Sequence, residues 1–242
     1  MSCYGPLAQW YDQLTGDVPY GEFADFYEKE LAKCRGDFHL ILDLCCGTGT
    51  LTRMMAQRGY EMIGVDASVE MLMQAGEKSQ GLDTPPLYLC QDASELDLYG
   101  TVDAAYCSLD GMNYIPPEDM PQLMKKLRLF IRPGGLFIFD LRSPDWLRSM
   151  DGQIYVDEQE DVLCLWRADL VEEEGLIVYG MDIFSEEGGL WRREREEHEE
   201  FIHQFDFLKA AMEKEGFRDI KLCPDGPQTG LGRQFITAIR GE

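Results

Sequence analysis

From Leu40 to Leu141 the chain repeats one pattern, a short unbroken apolar run followed by a longer stretch. The runs are Leu40-Ile41-Leu42-Asp43-Leu44, Met62-Ile63-Gly64-Val65, Leu87-Tyr88-Leu89-Cys90, Ala104-Ala105-Tyr106-Cys107-Ser108 and Leu136-Phe137-Ile138-Phe139-Asp140. Strands covered on both faces lack polar alternation in this way, and strands that alternate with helices predict a parallel sheet with helices on both faces. Met120, Leu123, Met124, Leu127, Phe130 and Ile131 share one helical face that should dock on that sheet, with Pro116 and Pro117 at the start of the helix. Phe23, Phe26, Tyr27, Glu30, Leu31 and Cys34 form an earlier stripe, within an N-terminal helical cap over residues 1–36.

After Ser143-Pro144 the period becomes two. Val162, Cys164, Trp166, Ala168 and Leu170 alternate with their neighbours, as do Ile177, Tyr179, Met181 and Ile183. Glu186-Glu187-Gly188-Gly189 should turn into a third, heavily charged strand from Leu190 to Phe201. That strand reads as solvent-facing, its charges paired across the sheet, unless an oligomer covers one side. These strands make an antiparallel insertion at 153–202, a lid or a dimerisation element, between core segments 37–152 and 203–242. The core resumes with a helix carrying Phe205, Leu208, Ala211 and Met212, then strands Phe217–Cys223 and Gln234–Ile239.

Composition narrows the function. A formal net charge of −23 repels nucleic acid, and no cluster of Lys and Arg with interleaved aromatics offsets it. The same charge serves solubility or draws in a cationic substrate. No apolar run is long enough for a membrane helix. Eight cysteines without C-x-x-C spacing, among them Cys45, Cys46, Cys90, Cys107 and Cys164 in or beside apolar strands, point to reduced core thiols and a cytoplasmic protein. Three histidines, His39, His198 and His203, are too few to suggest a zinc site, and no metal is expected.

The most informative segment is Leu42 to Thr52, L-D-L-C-C-G-T-G-T-L-T, in which a strand ends in an acid and a G-x-G turn before a helix. A dinucleotide fingerprint wants a third glycine where this chain has Thr52, and Asp43 suits an ammonium group better than a pyrophosphate. An NAD-dependent oxidoreductase is therefore disfavoured. Asp43, Gly47 and Gly49, then Asp66 after the second run, Gln91-Asp92-Ala93 after the third, Leu109 to Tyr114 after the fourth and Arg132-Pro133-Gly134-Gly135 before the fifth resemble the class I S-adenosylmethionine-dependent methyltransferases.

That resemblance implies an α/β, Rossmann-like seven-stranded sheet, mostly parallel with the last strand antiparallel, plus the inserted β lid. It implies S-adenosylmethionine as cofactor, with Asp43, Leu44, Cys45, Gly47 and Gly49 in the first motif, Asp66, Ala67 and Met71 around the ribose, Asp92 and Ala93 at the adenine, and Cys107, Ser108 and Leu109 beside the sulfonium. Tyr11 and Tyr20 either cap the cofactor or fill the core. Asp110, Asn113 and Tyr114 lie near the transferred methyl, although Asn113 also suits a loop brace. An amine or hydroxyl acceptor must lose a proton, for which His198 and His203 are candidates, each also readable as structural.

The whole layout is similar to bacterial small-molecule methyltransferases with an antiparallel lid, including nucleotide-sugar amine N-methyltransferases. It shares with them an N-terminal Tyr-Asp, a C-G-T-G turn and a Gly-Pro…Gly-Arg loop, here Gly226-Pro227 and Gly232-Arg233. Arg233 then either clamps an anionic group of the substrate or stands in solvent. The expected partner is a small polar acceptor, methylated on nitrogen or oxygen, with a homodimer through the insertion as a further expectation. A non-catalytic protein that keeps the fold is the alternative.

Overall fold

The computed structural model describes residues 4–242, with the backbone alone at 187. The apolar runs become β1 (Leu40–Leu44), β2 (Glu61–Asp66), β3 (Leu87–Cys90), β4 (Val102–Cys107) and β5 (Ile131–Arg142). The last two strands are β10 (Phe217–Cys223) and β11 (Arg233–Arg240), and the sheet has seven strands in the order β10-β11-β5-β4-β1-β2-β3. β11 runs antiparallel to both its neighbours and the other pairings are parallel, as expected.

Side chains alternate between two covering layers. Leu42, Leu44, Cys107, Phe137 and Phe139 pack with α5 (Met120–Phe130) and α7 (Phe205–Lys214), while Ile41, Tyr106, Leu136 and Ile138 pack with α2 (Tyr20–Ala32) and α3 (Thr50–Gln57). Phe23 and Tyr27 of α2 are fully buried there, each worth ~1.5–3 kcal/mol by area removed from water, so the N-terminal segment is fastened to the sheet. Two short helices flank the site: α1 (Tyr11–Leu14) and α4 (Val69–Lys78), the latter capped by the Ser68 hydroxyl.

The insertion has four antiparallel strands in sequence order: β6 (Ile154–Glu158), β7 (Val162–Val171), β8 (Leu176–Glu187) and β9 (Leu190–Phe201). The pattern of the sequence predicts only the last three. β6 is an edge strand whose Ile154, Tyr155 and Val156 are all exposed, so it carries no alternation to read. A six-residue helix, α6 (Pro144–Ser149), precedes it.

Three expectations are corrected. β9 is not simply solvent-facing, because alternate residues Glu196, His198 and Glu200 are buried against the N-terminal segment and the core. Its outward partner network is Asp182 of β8, which meets Arg167, Arg193 and Arg195. α5 starts at Met120 with Pro121 in its first turn, so Pro116 and Pro117 lie ahead of it. The thiols are unpaired among the described residues, but Cys90 is exposed, and Cys45 and Cys46 are only partly buried because they border a cavity. Among the described residues, no helix is long and apolar enough to cross a membrane and no His, Cys, Asp and Glu side chains cluster as a metal site.

Candidate active site

The loops leaving the carboxyl ends of β1, β2, β3 and β4 border one cavity of about 380 Å³, where an open parallel sheet places its ligands. Two glycines shape its entrance. Gly47 has φ +54° with open space where a Cβ would stand, and Gly49 has φ +70° with its absent Cβ directed at the Tyr88 hydroxyl, so any side chain there collides. Cys45, Leu109 and Asp110 also hold positive φ in the loops around this cavity.

Asp43, Asp66 and Asp92 line three sides of the cavity. Asp43 is 2% exposed, and its Oδ2 accepts hydrogen bonds from Thr52 Oγ1 at 2.5 Å and Tyr106 Oη at 3.1 Å. Burial pushes its carboxyl up to about 7, against the pull of those two donors. Burial also raises Asp66, opposed by backbone N–H groups: Gly47 N donates to its Oδ2 at 2.8 Å and Ser68 N to its Oδ1 at 2.9 Å. Asp66 therefore braces the glycine turn as well as facing the cavity. Asp92 is exposed and accepts from Ser94 N at 2.8 Å.

Cys45, Gly47, Ala67, Met71, Ala93, Ser108, Leu109, Tyr114, Tyr11 and Tyr20 all line the same space. Tyr11 and Tyr20 also pack on core clusters, so the two readings of each describe one placement. Leu44, Gly49 and Cys107 do not line it. Leu44 and Cys107 are wholly buried because an alternating strand turns them into the layer beneath, and Gly49 acts through its backbone angle and its contact with Tyr88.

The acceptor-side candidates separate. Asn113 is fully buried, donates from Nδ2 to Phe201 O at 2.9 Å and accepts from Arg142 N at 2.8 Å, so it joins loop, core and insertion and does not border the cavity. His203 is buried with Nε2 3.0 Å from Ile115 O, and burial lowers its basicity; it stands behind Ile115, which lines the cavity, and does not line it itself. His198 does not line the cavity but touches two residues that do, Tyr4 with ring centroids 4.3 Å apart and Tyr114. The Tyr4 hydroxyl donates to Tyr114 Oη at 2.8 Å, Tyr114 Oη lies 3.0 Å from His198 Nδ1, and His198 Nε2 lies 2.8 Å from Glu196 Oε1. A proton on Nε2 satisfies every contact in that relay. Glu196 in turn accepts from the Tyr4 and Leu7 backbone N–H groups, which pins the N-terminal segment against the inserted sheet.

Arg233 is buried, not in solvent. Its Nη1 bonds both Asp110 and Asp140, and Asp140 also receives the Leu109 and Asp110 backbone N–H groups. Burial opposes ionisation of Asp110, yet Arg233 and Arg142 hold its carboxyl below the usual range. Asp110 does not line the cavity, but its charge helps to raise the phenols of Tyr4, Tyr11 and Tyr114, which do.

Sequence reasoning missed Tyr4, Tyr106, Asp140, Arg142 and Glu200. Asp140 and Arg142 close the fifth apolar run, so their position at a strand end was an available signal. Tyr4 and Glu200 carried none, since each is brought in by long-range packing.

Comparison with known proteins places the chain among methyltransferases. Residues 41–135 match the family described as "Methyltransferase domain". The chain is 28% identical over 229 residues to the Bacillus subtilis (strain 168) protein named "Putative methyltransferase YqeM", covering 93% of this chain and 91% of that one. A crystal structure of an S-adenosylmethionine-dependent methyltransferase from Clostridium acetobutylicum ATCC 824 superposes with a TM-score of 0.85 at 27% identity, covering 100% of both chains. The sugar N-methyltransferase KedS8 from Streptoalloteichus sp ATCC 53650 shares the fold, with a TM-score of 0.83 at 17% identity over 100% of this chain and 95% of that one.

Proposed function

We propose that this chain, which belongs to the S-adenosylmethionine-dependent methyltransferases, methylates a small polar acceptor held between the tyrosine wall and the lid, on nitrogen in preference to oxygen. The observation that carries the reading is a second, buried polar cluster beside the aspartate-lined cavity, whose Asp110, Glu200 and Arg233 act electrostatically on the phenols of Tyr4, Tyr11 and Tyr114, which line that cavity. The sugar N-methyltransferase activity of KedS8 and the net charge of −23, which favours cationic acceptors, point the same way.

The cavity fits the cofactor in its chemistry. Asp43 would meet the ammonium of the amino-acid part, Asp66 the ribose hydroxyls and Asp92 the adenine amino group, while Gly47 leaves backbone in reach without a side chain. The cofactor supplies an electrophilic methyl group on a sulfonium. The protein's part is alignment and exclusion of water: Tyr4, Tyr11 and Tyr114 close the space beside Ser108 and Leu109, where the acceptor atom must approach in line. Burial raises all three phenols well above their ordinary value, so they remain neutral hydrogen-bonding groups.

The test is transfer of a labelled methyl group to parallel panels of small amines and small alcohols, with S-adenosylhomocysteine binding followed by calorimetry. Expected are product in the amine panel and cofactor binding that Asp66→Ala weakens strongly. Methylation confined to alcohols sinks the preference for nitrogen, and binding unaffected by Asp66→Ala sinks the site.

A further inference from the structure

Beneath the insertion, three buried polar atoms from three strands have no hydrogen-bond partner among the described residues, Glu200 Oε2, Tyr179 Oη and Arg233 Nε, and beside them Arg142 Nε has only Asp110 Oδ2 at 3.5 Å. Glu200 is on β9 and Tyr179 on β8, where they are diagonal neighbours on the inward face, since Tyr179 pairs with His198 and Ile177 with Glu200. Arg142 ends β5 and Arg233 begins β11, adjacent strands of the core sheet. Buried polar groups left unpaired are costly, and a group of them close together is a built-in demand for a polar ligand.

The charges around Glu200 define that ligand. Asp110, Arg142 and Arg233 face it from the core, Tyr179 from β8, and Tyr4 and Tyr114 from the N-terminal segment and the loop after β4. Arg233 is balanced by Asp110 and Asp140, and Arg142 lies 3.5 Å from Asp110, so two cations already meet two anions. An ionised Glu200 is the surplus negative charge. We infer that this cluster is the acceptor's amine subsite, with Glu200 as the residue that pairs with the incoming ammonium and then takes its proton, and with Tyr179, Arg142 and Arg233 bonding hydroxyl groups of the same molecule. This rests on the proposed methylation of nitrogen.

The proton ledger closes. Burial and Asp110 push the Glu200 carboxyl up to about 8, so it is neutral near pH 7 before the acceptor arrives. The ammonium binds as Glu200 releases its proton to solvent, forming a carboxylate–ammonium pair. Glu200 then accepts one N–H proton, the freed nitrogen lone pair forms the N–C bond, and the S–C bond breaks with its electron pair going to sulfur. The methylated ammonium leaves, and Glu200 is left protonated as it began. One proton is released per turnover.

The test uses the full chain saturated with S-adenosylhomocysteine, titrated calorimetrically with D-glucosamine at pH 6.5 in buffers of different ionisation enthalpy. D-Glucose is the uncharged control. The wild type should bind the amine in preference to glucose and release close to one proton per amine bound. Glu200→Gln should weaken amine binding at least tenfold and abolish the release, Glu200→Asp should recover part of both, and S-adenosylhomocysteine affinity should stay within twofold in each. Equal amine binding and proton release in Glu200→Gln, glucose binding as tightly as the amine, or no saturable amine binding to the wild type each overturns the inference. Amine methylation by Glu200→Gln at the wild-type rate removes Glu200 and leaves nitrogen methylation standing, whereas methylation of alcohols alone removes both.

Discussion

Asp43→Asn should make the empty protein more stable above neutral pH while impairing cofactor binding. In the folded state burial lifts this carboxyl from 3.8 to about 7, so between those values the folded chain holds a proton that the unfolded chain lacks. Stability then falls as pH rises through that window, because the folded state is the one that binds more protons. A shift of about 3 units at about 1.4 kcal/mol per unit sets a ceiling of about 4 kcal/mol, present in full above pH 7 and absent below about pH 4. Asparagine retains an oxygen to accept from Thr52 and Tyr106 and carries no charge to bury. The assay is urea unfolding of both proteins without cofactor from pH 4 to pH 8.5. The stability difference should grow in favour of the variant through the window and then level off. S-adenosylhomocysteine binding at pH 8 should weaken about 10- to 100-fold, the value of a charge-assisted hydrogen bond of ~1.5–3 kcal/mol. A pH-independent difference, or a variant less stable at both ends, would refute the claim that an unpaired buried carboxylate is held there for the cofactor.

Gly49→Ala should lower stability by ~1–3 kcal/mol, since it combines a positive φ with a clash at Tyr88; a thermal midpoint equal to wild type would show that this turn relaxes freely. Tyr114→Phe leaves the Tyr4 hydroxyl and His198 Nδ1 without their shared partner and should cost ~1–3 kcal/mol in urea unfolding, with faster proteolysis of the N-terminal segment; unchanged cleavage would mean that the relay does not hold it. Arg167, Arg193 and Arg195 hold the Asp182 carboxyl down to about 2, so its contribution to stability is present above pH 4 and lost toward pH 2. Asp182→Asn should flatten the acid limb of the stability profile, and less so in 1 M salt; an identical acid limb would show that the network contributes nothing measurable.

The seven-stranded sheet was legible because each strand is an unbroken apolar run and each loop at its carboxyl end carries an acid or a glycine pair in a fixed order. Asp43, Asp66 and Asp92 could be named for the same reason: position along a parallel strand determines position around the cavity. β6 was not legible, since an edge strand with both faces in solvent leaves no hydrophobic period. Nor were the roles of the histidines or of Arg233. His203 and Asn113 look like chemical groups in the sequence, but both are buried with backbone partners, Asn113 on Phe201 O at the end of β9 and His203 on Ile115 O.

What the sequence alone determined was therefore local and periodic: strand and helix order, the cofactor turn, and the existence of an antiparallel insertion. The tertiary structure decided what lies opposite what. It brought Tyr4 against Tyr114 and Glu196, 110 and 192 residues away, and placed Glu200 of the lid over Arg142 and Arg233 of the core. It also decided which acids are charged, because burial and neighbouring cations act through space, and neither is written in the spacing of residues along the chain.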